Sequence, residues 1–513
     1  MASRGLAPQR RQPQFRRRVR ITLVDDGMRS SVLLFLGFAL FGQPASREYF
    51  VPTHRAAGIG AARDEMPEET LEARTALMIQ TQTFAILREP EAVAGARRVT
   101  ADSKLQPLFR SAAKRSGFPQ ATLEAVAYLE SWGDPKAESP SGPKGIMQVS
   151  EATAREMGLK VTRATRYRVT RQRVQVRSKS KTPKYKTVTR KEPYTVTVRD
   201  DRLNPARAIP AAAVYLAGME RKFGGRDWAV FAYHCGQGCV AHLLDLTRAA
   251  RGIPKDQATV ARMFFSASPV WNREIYETVQ REMQRDWSPT YWFRAMRAQQ
   301  LLALYRRDPR EFASLAQQYK SEFNPGRAPH RLTVWLTRSD LVFHTGDDIR
   351  SVLGAKLLVK AFDRPEYFGY SLNIPPSSPL DLEDREKGAP VAIGALVYVA
   401  FETRRLFDQL NQGRDRFRPL EVVSLVEPED YARQLSEREA LSHVSGQVFD
   451  IDASDLPPSE MECLRFVLDD LGWAGYLGFV DEGANTLHVG SAPAARDFFT
   501  SVFEEAAGAR PAD

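Results

Sequence analysis

Apolar residues recur every three to four positions over two long stretches of the chain, 101–158 and 204–322. This spacing puts them on one face of a helix and predicts a mainly helical region. Asn204 and Pro205 open the second stretch with a cap residue followed by a first-turn proline, which is a helix-start signal. The segment between the two stretches has a different pattern. Residues 47–100 are mixed and weakly periodic, and no function is assigned to them.

Between the two helical stretches the pattern alternates with period two. Residues 167–177 and 185–190 alternate as strands do, and the segment 178–183 between them has turn composition. Residues 194–199 form a candidate third strand. The insert 161–200 is therefore predicted to be a β-hairpin that interrupts the helical region.

The C-terminal part has a mixed pattern. Residues 323–330 have the composition of a linker, and short apolar runs follow at 332–336 and 394–401. We expect strands and helices to mix over 331–513, which is an α+β arrangement. A chain of 513 residues is long enough for two or three domains.

Composition and charge narrow the class of protein. Hydrophobic residues make up 43% and charged residues 26%, as in globular proteins, which excludes a disordered chain, a fibre and a multi-span membrane protein. The net charge of +11 is concentrated, because residues 1–29 carry a net +6 and residues 161–200 a net +11. The remainder is net negative, so no general nucleic-acid surface is expected.

The N-terminus has the features of an export signal. Eight arginines lie ahead of a short apolar run, residues 30–42, and small residues follow it up to position 46. This order is typical of a secretory signal peptide with an N-terminal extension, here residues 1–46. The apolar part is too short for a membrane span, which needs about 20 residues. An uncleaved anchor is the alternative, and either predicts an exported protein.

One carboxylate, that of Glu130, lies on the apolar face of a predicted helix and is a candidate general acid. Glu130 shares a helical face with Leu123 and Val126. Burial on such a stripe disfavours the charged form of a carboxyl group. An acid that stays protonated near neutral pH can donate its proton to a leaving oxygen. A helix-end glutamate whose side chain reaches water is the alternative.

Residues around and after Glu130 form an ordered series of motifs. The series is Glu130-Ser131, Ser139-Pro-Ser-Gly142, Gly145-Ile-Met-Gln-Val149, Ala206–Leu216 and Phe231-Ala-Tyr-His-Cys-Gly-Gln-Gly238. It resembles the soluble lytic transglycosylases, which have a lysozyme-like fold. The resemblance covers about 105–285 apart from the insert. Asp134 stands where Asn is usual, and His234-Cys235 replace the usual Asn-Ala.

The resemblance carries a function with it. It implies cleavage of the β-1,4 bond between N-acetylmuramic acid and N-acetylglucosamine in peptidoglycan, with Glu130 as the lone acid and base. No cofactor is implied, and the products would have 1,6-anhydromuramoyl ends, with hydrolysis by water as the nearby alternative. The family's substrate-contact positions fall on Ser139, Gly145, Met147, Gln148 and Tyr233. Three tryptophans are candidates for stacking on sugars or for core packing: Trp132, Trp228 and Trp292.

Three cysteines are too few for a disulfide scaffold. Cys235 and Cys239 flank Gly-Gln-Gly and either form a small disulfide or replace alanine as buried residues. Cys463 lies in a helical pattern and is expected to be a buried apolar residue.

A second cluster lies near the C-terminus. Two histidines and one carboxylate, His443, Asp450 and His488, can hold zinc and leave a fourth position open. Their spacing resembles that of the D-Ala-D-Ala carboxypeptidase and LAS-type metallopeptidases. Glu427 stands where those families usually carry Arg, and Asn485 stands where a catalytic Glu is often found.

Together these features predict a multidomain protein. A mainly α lysozyme-like domain, residues 101–322 with the inserted basic hairpin, precedes an α+β peptidase-like domain, residues 331–513. The expected partners are peptidoglycan glycan strands and stem peptides, and for the insert either solvent alone or an anionic envelope partner. Two other functions stay open: a zinc-dependent peptidoglycan peptidase that uses the helical domain to bind glycan, and a non-catalytic wall-binding scaffold.

Overall fold

The computed structural model describes eight segments of the chain. They are residues 49–56, 67–176, 184–283, 288–321, 342–375, 380–435, 443–481 and 485–509. The predicted signal peptide, the linker 323–330, the apolar run 332–336 and the turn 178–183 lie outside them. No helix in the described segments is long and apolar enough to cross a membrane.

The N-terminal part of the described chain is helical apart from one pair of strands. Its helices are α1 (Glu68–Leu87), α2 (Ala92–Ala101), α3 (Leu105–Ser116), α4 (Gln120–Ser131), α5 (Glu151–Glu156), α6 (Pro205–Phe223), α7 (Arg226–Cys235), α8 (Gln237–Ala249), α9 (Val260–Ser266), α10 (Arg273–Met283), α11 (Tyr291–Arg307) and α12 (Pro309–Ser321). The predicted start of α6 is confirmed, since the Asn204 side chain accepts a hydrogen bond from the Ala206 N–H and Pro205 opens the first turn. The left-handed Gly224 ends this helix.

Helix α11 lies at the centre of this part and packs against α1, α4 and α7. Its aromatic and aliphatic residues are buried, among them Tyr291, Phe293 and Leu301. The packing brings the first residue of α11 to the last turn of α4, and this contact builds the site described below.

The region 47–100 has more structure than its weak periodicity suggested. It contains two helices, α1 and α2, and the buried positions of α1 include the charged and polar Arg74, Gln82 and Thr83 as well as apolar residues. A helix that buries polar residues on its inner face has no clear apolar stripe, so the sequence pattern misses it.

The insert forms two long antiparallel strands, β1 (Val161–Val176) and β2 (Lys184–Asp200). Their register pairs Val161 with Asp200 and Val176 with Lys184, with one irregularity after Thr162. The candidate third strand, residues 194–199, is the second half of β2 instead. Pro193 lies within β2, just before this segment. Because proline has no N–H, it weakens a strand prediction, although an edge strand tolerates it.

The C-terminal part combines a mixed sheet with helices. Its strands are β3 (Val359–Lys360), β4 (Tyr370–Leu372), β5 (Lys387–Gly388), β6 (Leu420–Ser424), β7 (Val448–Asp452), β8 (Leu477–Asp481) and β9 (Thr486–Ser491). Its helices are α13 (Gly346–Arg350), α14 (Val352–Leu357), α15 (Pro365–Phe368), α16 (Leu382–Arg385), α17 (Pro390–Asn411), α18 (Glu429–Leu435), α19 (Pro458–Trp473) and α20 (Arg496–Gly508). The main sheet has the order β4-β6-β7-β9-β8, and all its pairs are antiparallel except β4 with β6.

The apolar run 394–401, which suggested a strand, is the middle of helix α17. This helix is buried on every side from Val391 to Phe401. An uninterrupted apolar run has no period, so a fully buried helix and a buried strand look alike in sequence. Helix α17 packs so closely on α20 that a Cβ on Gly394 would lie 1.9 Å from the Phe499 carbonyl oxygen.

The helical part and the sheet part are not separate bodies. Residues 49–513 form one compact unit, and a single buried apolar cluster runs through both parts. Helix α1 contacts α19 through a buried ion pair of Arg74 with Asp470, and the rings of Phe264 and Trp473 lie 4.6 Å apart. The helical part and the sheet part therefore share an interface.

Candidate active site

Glu130 lies in the last turn of α4, where the chain leaves the helix. Leu123, Val126 and Ala127 on the same helix are fully buried, so the apolar face predicted from the sequence does face the core. Trp132 (φ 53°) and Gly133 (φ 71°) adopt left-handed conformations and end the helix. The side chain of Glu130 keeps 16% of its surface exposed, which leaves it reachable at the floor of a cleft.

The cleft above Glu130 has a volume of about 700 Å³, a size typical of ligand sites. It is lined by residues from α4, the loop 132–150, α5, α6 and α7. The lining includes Glu130, Trp132, Ser139, Gln148, Tyr233 and His234. Of the five predicted substrate-contact residues, Ser139, Gln148 and Tyr233 line the cleft.

Tyr291, the first residue of α11, holds the Glu130 carboxyl group. Its hydroxyl donates a 2.6 Å hydrogen bond to Oε1 of Glu130. Burial, and then the neighbouring Glu130 charge, raises the pKa of Tyr291 well above its usual range. The phenol therefore keeps its proton and acts as a donor to one oxygen of the carboxyl group.

His234 completes this small group. Its ring stacks on Tyr291 with the ring centres 4.4 Å apart and the planes 6° from parallel. Its Nδ1 atom lies 3.9 Å from Oε1 of Glu130. The imidazole thus forms a wall of the cleft and backs the tyrosine that orients the carboxyl group.

The loop after α4 is fixed to the helix by side-chain hydrogen bonds. The Ser131 hydroxyl donates to the carbonyl of Ile146 at 2.8 Å. The Gln148 amide donates to the carbonyls of Ala137 (3.1 Å) and Gly145 (2.9 Å). Gln148 has a positive φ of 42°, so this loop is held in a conformation that few residues adopt freely.

Gly145 and Met147 do not line the cleft, although both were predicted as substrate contacts. A Cβ on Gly145 would lie 1.9 Å from the Arg202 carbonyl oxygen, and its φ of 78° favours glycine. The Met147 side chain is fully buried, and its carbonyl accepts a 2.7 Å hydrogen bond from the Tyr233 hydroxyl. Both residues shape the cleft through the backbone.

The remaining predicted positions divide between cleft and core. Trp132 lines the cleft, whereas Trp228 is buried and donates from its indole nitrogen to the Ala258 carbonyl. Cys235 and Cys239 are present as thiols and not as a disulfide. Cys463 is fully buried, as predicted.

The second cluster comes together on neighbouring strands. Asp450 on β7 is the register partner of His488 on β9, and His443 precedes β7. One donor atom from each lies within 4.8 Å of the others. His443 Nε2 is 3.2 Å from His488 Nδ1 and 3.2 Å from Asp450 Oδ2, and His488 Nδ1 is 2.5 Å from Asp450 Oδ1.

Two of the three donor separations are close to those around a tetrahedral cation such as zinc. Ligand atoms about 2.0–2.1 Å from a tetrahedral ion lie roughly 3.3 Å from one another, close to the two 3.2 Å separations. The third separation, 2.5 Å between His488 Nδ1 and Asp450 Oδ1, is a hydrogen-bond distance. The other ring nitrogen of His443 lies 2.5 Å from the carbonyl oxygen of Leu425, the outer contact that orients a metal-binding imidazole.

The electrostatics of the cluster favour one positive charge beside Asp450. Burial alone would lower the pKa of His443, but the Asp450 carboxylate beside it raises that pKa to about 10. The histidines in turn lower the pKa of Asp450, against the effect of its burial. A proton on His443 or a bound cation would balance the Asp450 charge.

Two positions near the cluster differ from the metallopeptidases that it resembles. Glu427, in place of Arg, accepts a 2.7 Å hydrogen bond from the Ser424 hydroxyl. Asn485, in place of Glu, has a φ of 63° and accepts from the Ala453 N–H through its backbone carbonyl. An asparagine side chain cannot serve as a general base.

Sequence reasoning missed Tyr291 and the role of His234. Tyr291 lies 161 residues after Glu130 and follows no spacing rule. The only signal was the aromatic cluster Tyr291-Trp-Phe293 at the start of a helix. His234 was noted as a departure from the family pattern, and its stacking on Tyr291 becomes visible only in the fold.

The residues that line the cleft lie in a region that is similar to a known protein family. Residues 107–174 and 182–253 match the family model "Transglycosylase SLT domain". The matched segments contain Glu130, Ser139, Gln148 and Tyr233, whereas Tyr291 and the His443 cluster lie outside them. The resemblance to lytic transglycosylases expected from the motifs is confirmed for this region.

The chain is also similar to several proteins that are named as peptidoglycan or murein transglycosylases. The chain is 36% identical over 132 residues to the peptidoglycan transglycosylase gp16 of Escherichia phage T7, covering 26% of this chain and 8% of that protein. It is 28% identical over 178 residues to the membrane-bound lytic murein transglycosylase F of Alcanivorax borkumensis, 33% of this chain and 30% of that one. The Hahella chejuensis protein of the same name is 22% identical over 267 residues, which cover 50% of this chain and 44% of that protein. The alignments span less than half of the length of each relative. The family match is to one region of the chain, residues 107–174 and 182–253, which is similar to the transglycosylase SLT domain.

Proposed function

We propose that the protein is an exported peptidoglycan lytic transglycosylase that cleaves the β-1,4 bond between N-acetylmuramic acid and N-acetylglucosamine. The observation that carries this proposal is Glu130 at the floor of the cleft with Oε1 held by the Tyr291 hydroxyl. The SLT match covers the same cleft. The relatives named as lytic murein transglycosylases support the reaction class.

The first step uses Glu130 as an acid. The Tyr291 hydrogen bond occupies Oε1, which leaves Oε2 to carry the proton toward the glycosidic oxygen. Protonation of that oxygen lets the bond to C1 of the muramoyl residue break, and the N-acetylglucosamine hydroxyl leaves. The Glu130 carboxylate that remains is stabilised by the phenol, because a hydrogen bond to the charged form favours it.

The second step uses the same group as a base. Glu130 takes the proton of the muramoyl C6 hydroxyl, and O6 forms a bond to C1. The glycan ends in a 1,6-anhydromuramoyl residue, Glu130 is protonated again, and no water is consumed. Enzymes that hydrolyse glycosides commonly need two carboxylates. Internal attack by O6 removes the need for a second one, and Glu138, the nearby acid on the cleft wall, is paired with Lys144 at 2.7 Å.

Substitution of Glu130 by Gln tests this assignment. The variant keeps the size of the side chain and loses the transferable proton, so muropeptide release from sacculi should fall by ~10²–10⁴-fold. Glu72→Gln is the matched control, because Glu72 is exposed on α1 and lies outside the cleft lining. A Glu130→Gln protein that keeps more than about a tenth of wild-type activity would show that another group is the acid.

A second function is favoured by the His443 cluster. We propose that His443, Asp450 and His488 bind zinc and that the C-terminal part is a zinc-binding or peptide-binding module for the stem peptides. When bound, zinc would supply charge to balance Asp450 and a Lewis acid. The burial of both histidines and Asn485 in place of a base favour a structural ion over a peptidase.

The alternatives predict different products. A zinc peptidase would release D-alanine or expose new amino groups and would lose this activity with a chelator. A non-catalytic scaffold would bind sacculi and release nothing. Muropeptide release that survives chelation and depends on Glu130 separates the proposed transglycosylase from both.

A further inference from the structure

The paired strands β1 and β2, called the ribbon here, form a long charged protrusion. They pair over sixteen residues of β1, which corresponds to roughly 50 Å at ~3.3 Å per residue. Their main packing is with each other. Apart from Asp200 at the base, their described side chains are exposed or only partly buried on both faces. The ribbon therefore offers both faces to a partner.

Cations on the ribbon far outnumber its acids. Its described residues include ten Lys and Arg but only Glu192 and Asp200 as acids. Three of the cations are paired with carboxylates, in the pairs Arg163–Glu151, Arg168–Glu192 and Arg199–Asp201. Six further cations have exposed side chains and no carboxylate partner within the described part of the chain. These six, the ribbon cations, are Arg166, Arg171, Arg173, Lys186, Arg190 and Lys191.

The strand register sorts the ribbon cations into two rows. Arg171 and Arg173 lie on one face with Lys191, which pairs with Val169. The opposite face carries Arg166 together with Arg190 and Lys186, which pair with Thr170 and Val174. Arg171 and Arg173 are two residues apart, about 6.6 Å along the strand, and Lys186 and Arg190 are four residues apart, about 13 Å. Each face thus presents a line of separate positive charges.

Large apolar side chains are exposed on the same ribbon. It holds six of the twelve most exposed large hydrophobic residues in the described chain, among them Tyr167, Tyr185 and Tyr194. Arg173 lies over the Tyr185 ring at 5.3 Å. Exposed tyrosines next to arginines are enriched where proteins bind partners, so solvation alone does not account for this surface.

The ribbon is rooted on the rim of the cleft. At the end of β2, Asp200 forms a buried ion pair with Arg202, and Arg202 donates to the carbonyls of Gly142 (3.2 Å) and Val149 (3.3 Å) in the cleft loop. At the start of β1, Arg163 pairs with Glu151, the first residue of α5. A polymer that lies in the cleft would therefore meet the base of the ribbon next.

We propose that the ribbon is a second binding surface for the substrate polymer, and that it binds the carboxylates of the stem peptides carried by the glycan strand in the cleft. This inference rests on the proposed function. Outside the leader and the insert the chain has a net charge of about −6, so an anionic polymer is drawn to the ribbon and repelled elsewhere. A membrane surface fits less well, because interfacial binding needs one apolar face and one charged face.

The test measures binding to purified sacculi over a range of salt concentrations, in a Glu130→Gln background that prevents digestion. One variant replaces all six ribbon cations by Gln. The matched control replaces six exposed cations elsewhere, namely Arg97, Lys104, Arg110, Lys114, Arg115 and Lys255. Both lose the same charge, and equal melting temperatures will show that both are folded.

The ribbon variant should bind sacculi at least about tenfold more weakly at low salt, since six exposed ionic contacts are lost, and should lose most of its salt dependence. The control should bind as the parent does. On glycan strands stripped of peptides by an amidase, the ribbon variant and the control should bind equally.

Three results would overturn the proposal. In the first, the two variants bind sacculi equally. In the second, the ribbon variant binds peptide-free glycan more weakly than the control does. In the third, the ribbon variant binds more weakly than the control only to anionic vesicles or DNA. Failure of the proposed function would give a different result. The wild-type protein would then release no muropeptides, although binding to sacculi would still depend on the ribbon cations.

Discussion

The Tyr291 hydroxyl donates a 2.6 Å hydrogen bond to Oε1 of Glu130, and the two residues lie 161 positions apart. Helix α11 brings them together, because its first residue packs against the last turn of α4. The contact orients the carboxyl group of Glu130. One oxygen is held by the protein, and the other is available to the substrate.

Tyr291→Phe should lower kcat by about 10–100-fold, the value of a hydrogen bond to a charged group, and change KM little. Tyr291 is a positioning residue, and the ring that stacks on His234 remains in the variant. Tyr128→Phe is the matched control, since its buried hydroxyl donates to the Ala92 carbonyl away from the cleft. Equal kcat values in the two variants would contradict this role for Tyr291.

Gly145→Ala should unfold the cleft loop or distort it. The new Cβ would lie 1.9 Å from the Arg202 carbonyl oxygen, and the backbone would be strained at φ 78°. We expect a loss of at least about 2 kcal/mol in unfolding free energy together with loss of muropeptide release. Gly238→Ala is the control, because a Cβ there meets open space. A Gly145→Ala protein as stable as this control would refute the close approach.

Zinc should be found in the full-length protein purified without chelators. His443→Ala should remove it and lower the melting temperature, and glycan cleavage at 25 °C should stay unchanged because the cleft does not include the cluster. His242→Ala, a change at an exposed histidine, should keep the metal. Absence of zinc from the wild-type protein by elemental analysis would leave the cluster as a hydrogen-bonded network only.

Glu151 makes the root of the ribbon sensitive to acid. Hydrogen bonds from Arg163 and Arg155 lower the pKa of Glu151 from the usual 4.5 to about 2. A carboxyl group with a lowered folded-state pKa stabilises the fold above its usual pKa and loses that effect as the pH falls. The melting temperature of wild type should exceed that of Glu151→Gln at pH 6, and the difference should close between pH 4.5 and pH 2. A constant difference over this range would contradict the ion pairs.

Sequence alone predicted the parts of the molecule whose signals are local. Glu130 was found from its helical spacing and from the ordered motifs that follow it along the chain, and the start of α6 because Asn204 and Pro205 are adjacent. The strands of the ribbon were visible from their alternation. The donors of the second cluster were named from residue type and spacing, and the structure brings them within 4.8 Å.

The rest depends on contacts between distant parts of the chain. Tyr291 contacts Glu130 only because α11 packs on α4, and no periodic pattern in the sequence predicts that packing. Helix α17 has no polar face because it is buried on every side, so its pattern resembled a strand. Helix α1 has a mixed inner face, on which Arg74 pairs with Asp470, and its pattern was too weak to predict a helix.

The most direct test of the central claim is a digestion of sacculi in water enriched in oxygen-18, followed by mass spectrometry of the released muropeptides. Internal attack by O6 consumes no water, so the wild-type protein should release 1,6-anhydromuramoyl products that contain no oxygen-18. Reducing ends that carry oxygen-18 would show that water attacks C1, and the proposed second role of Glu130 as the base for the C6 hydroxyl would be wrong.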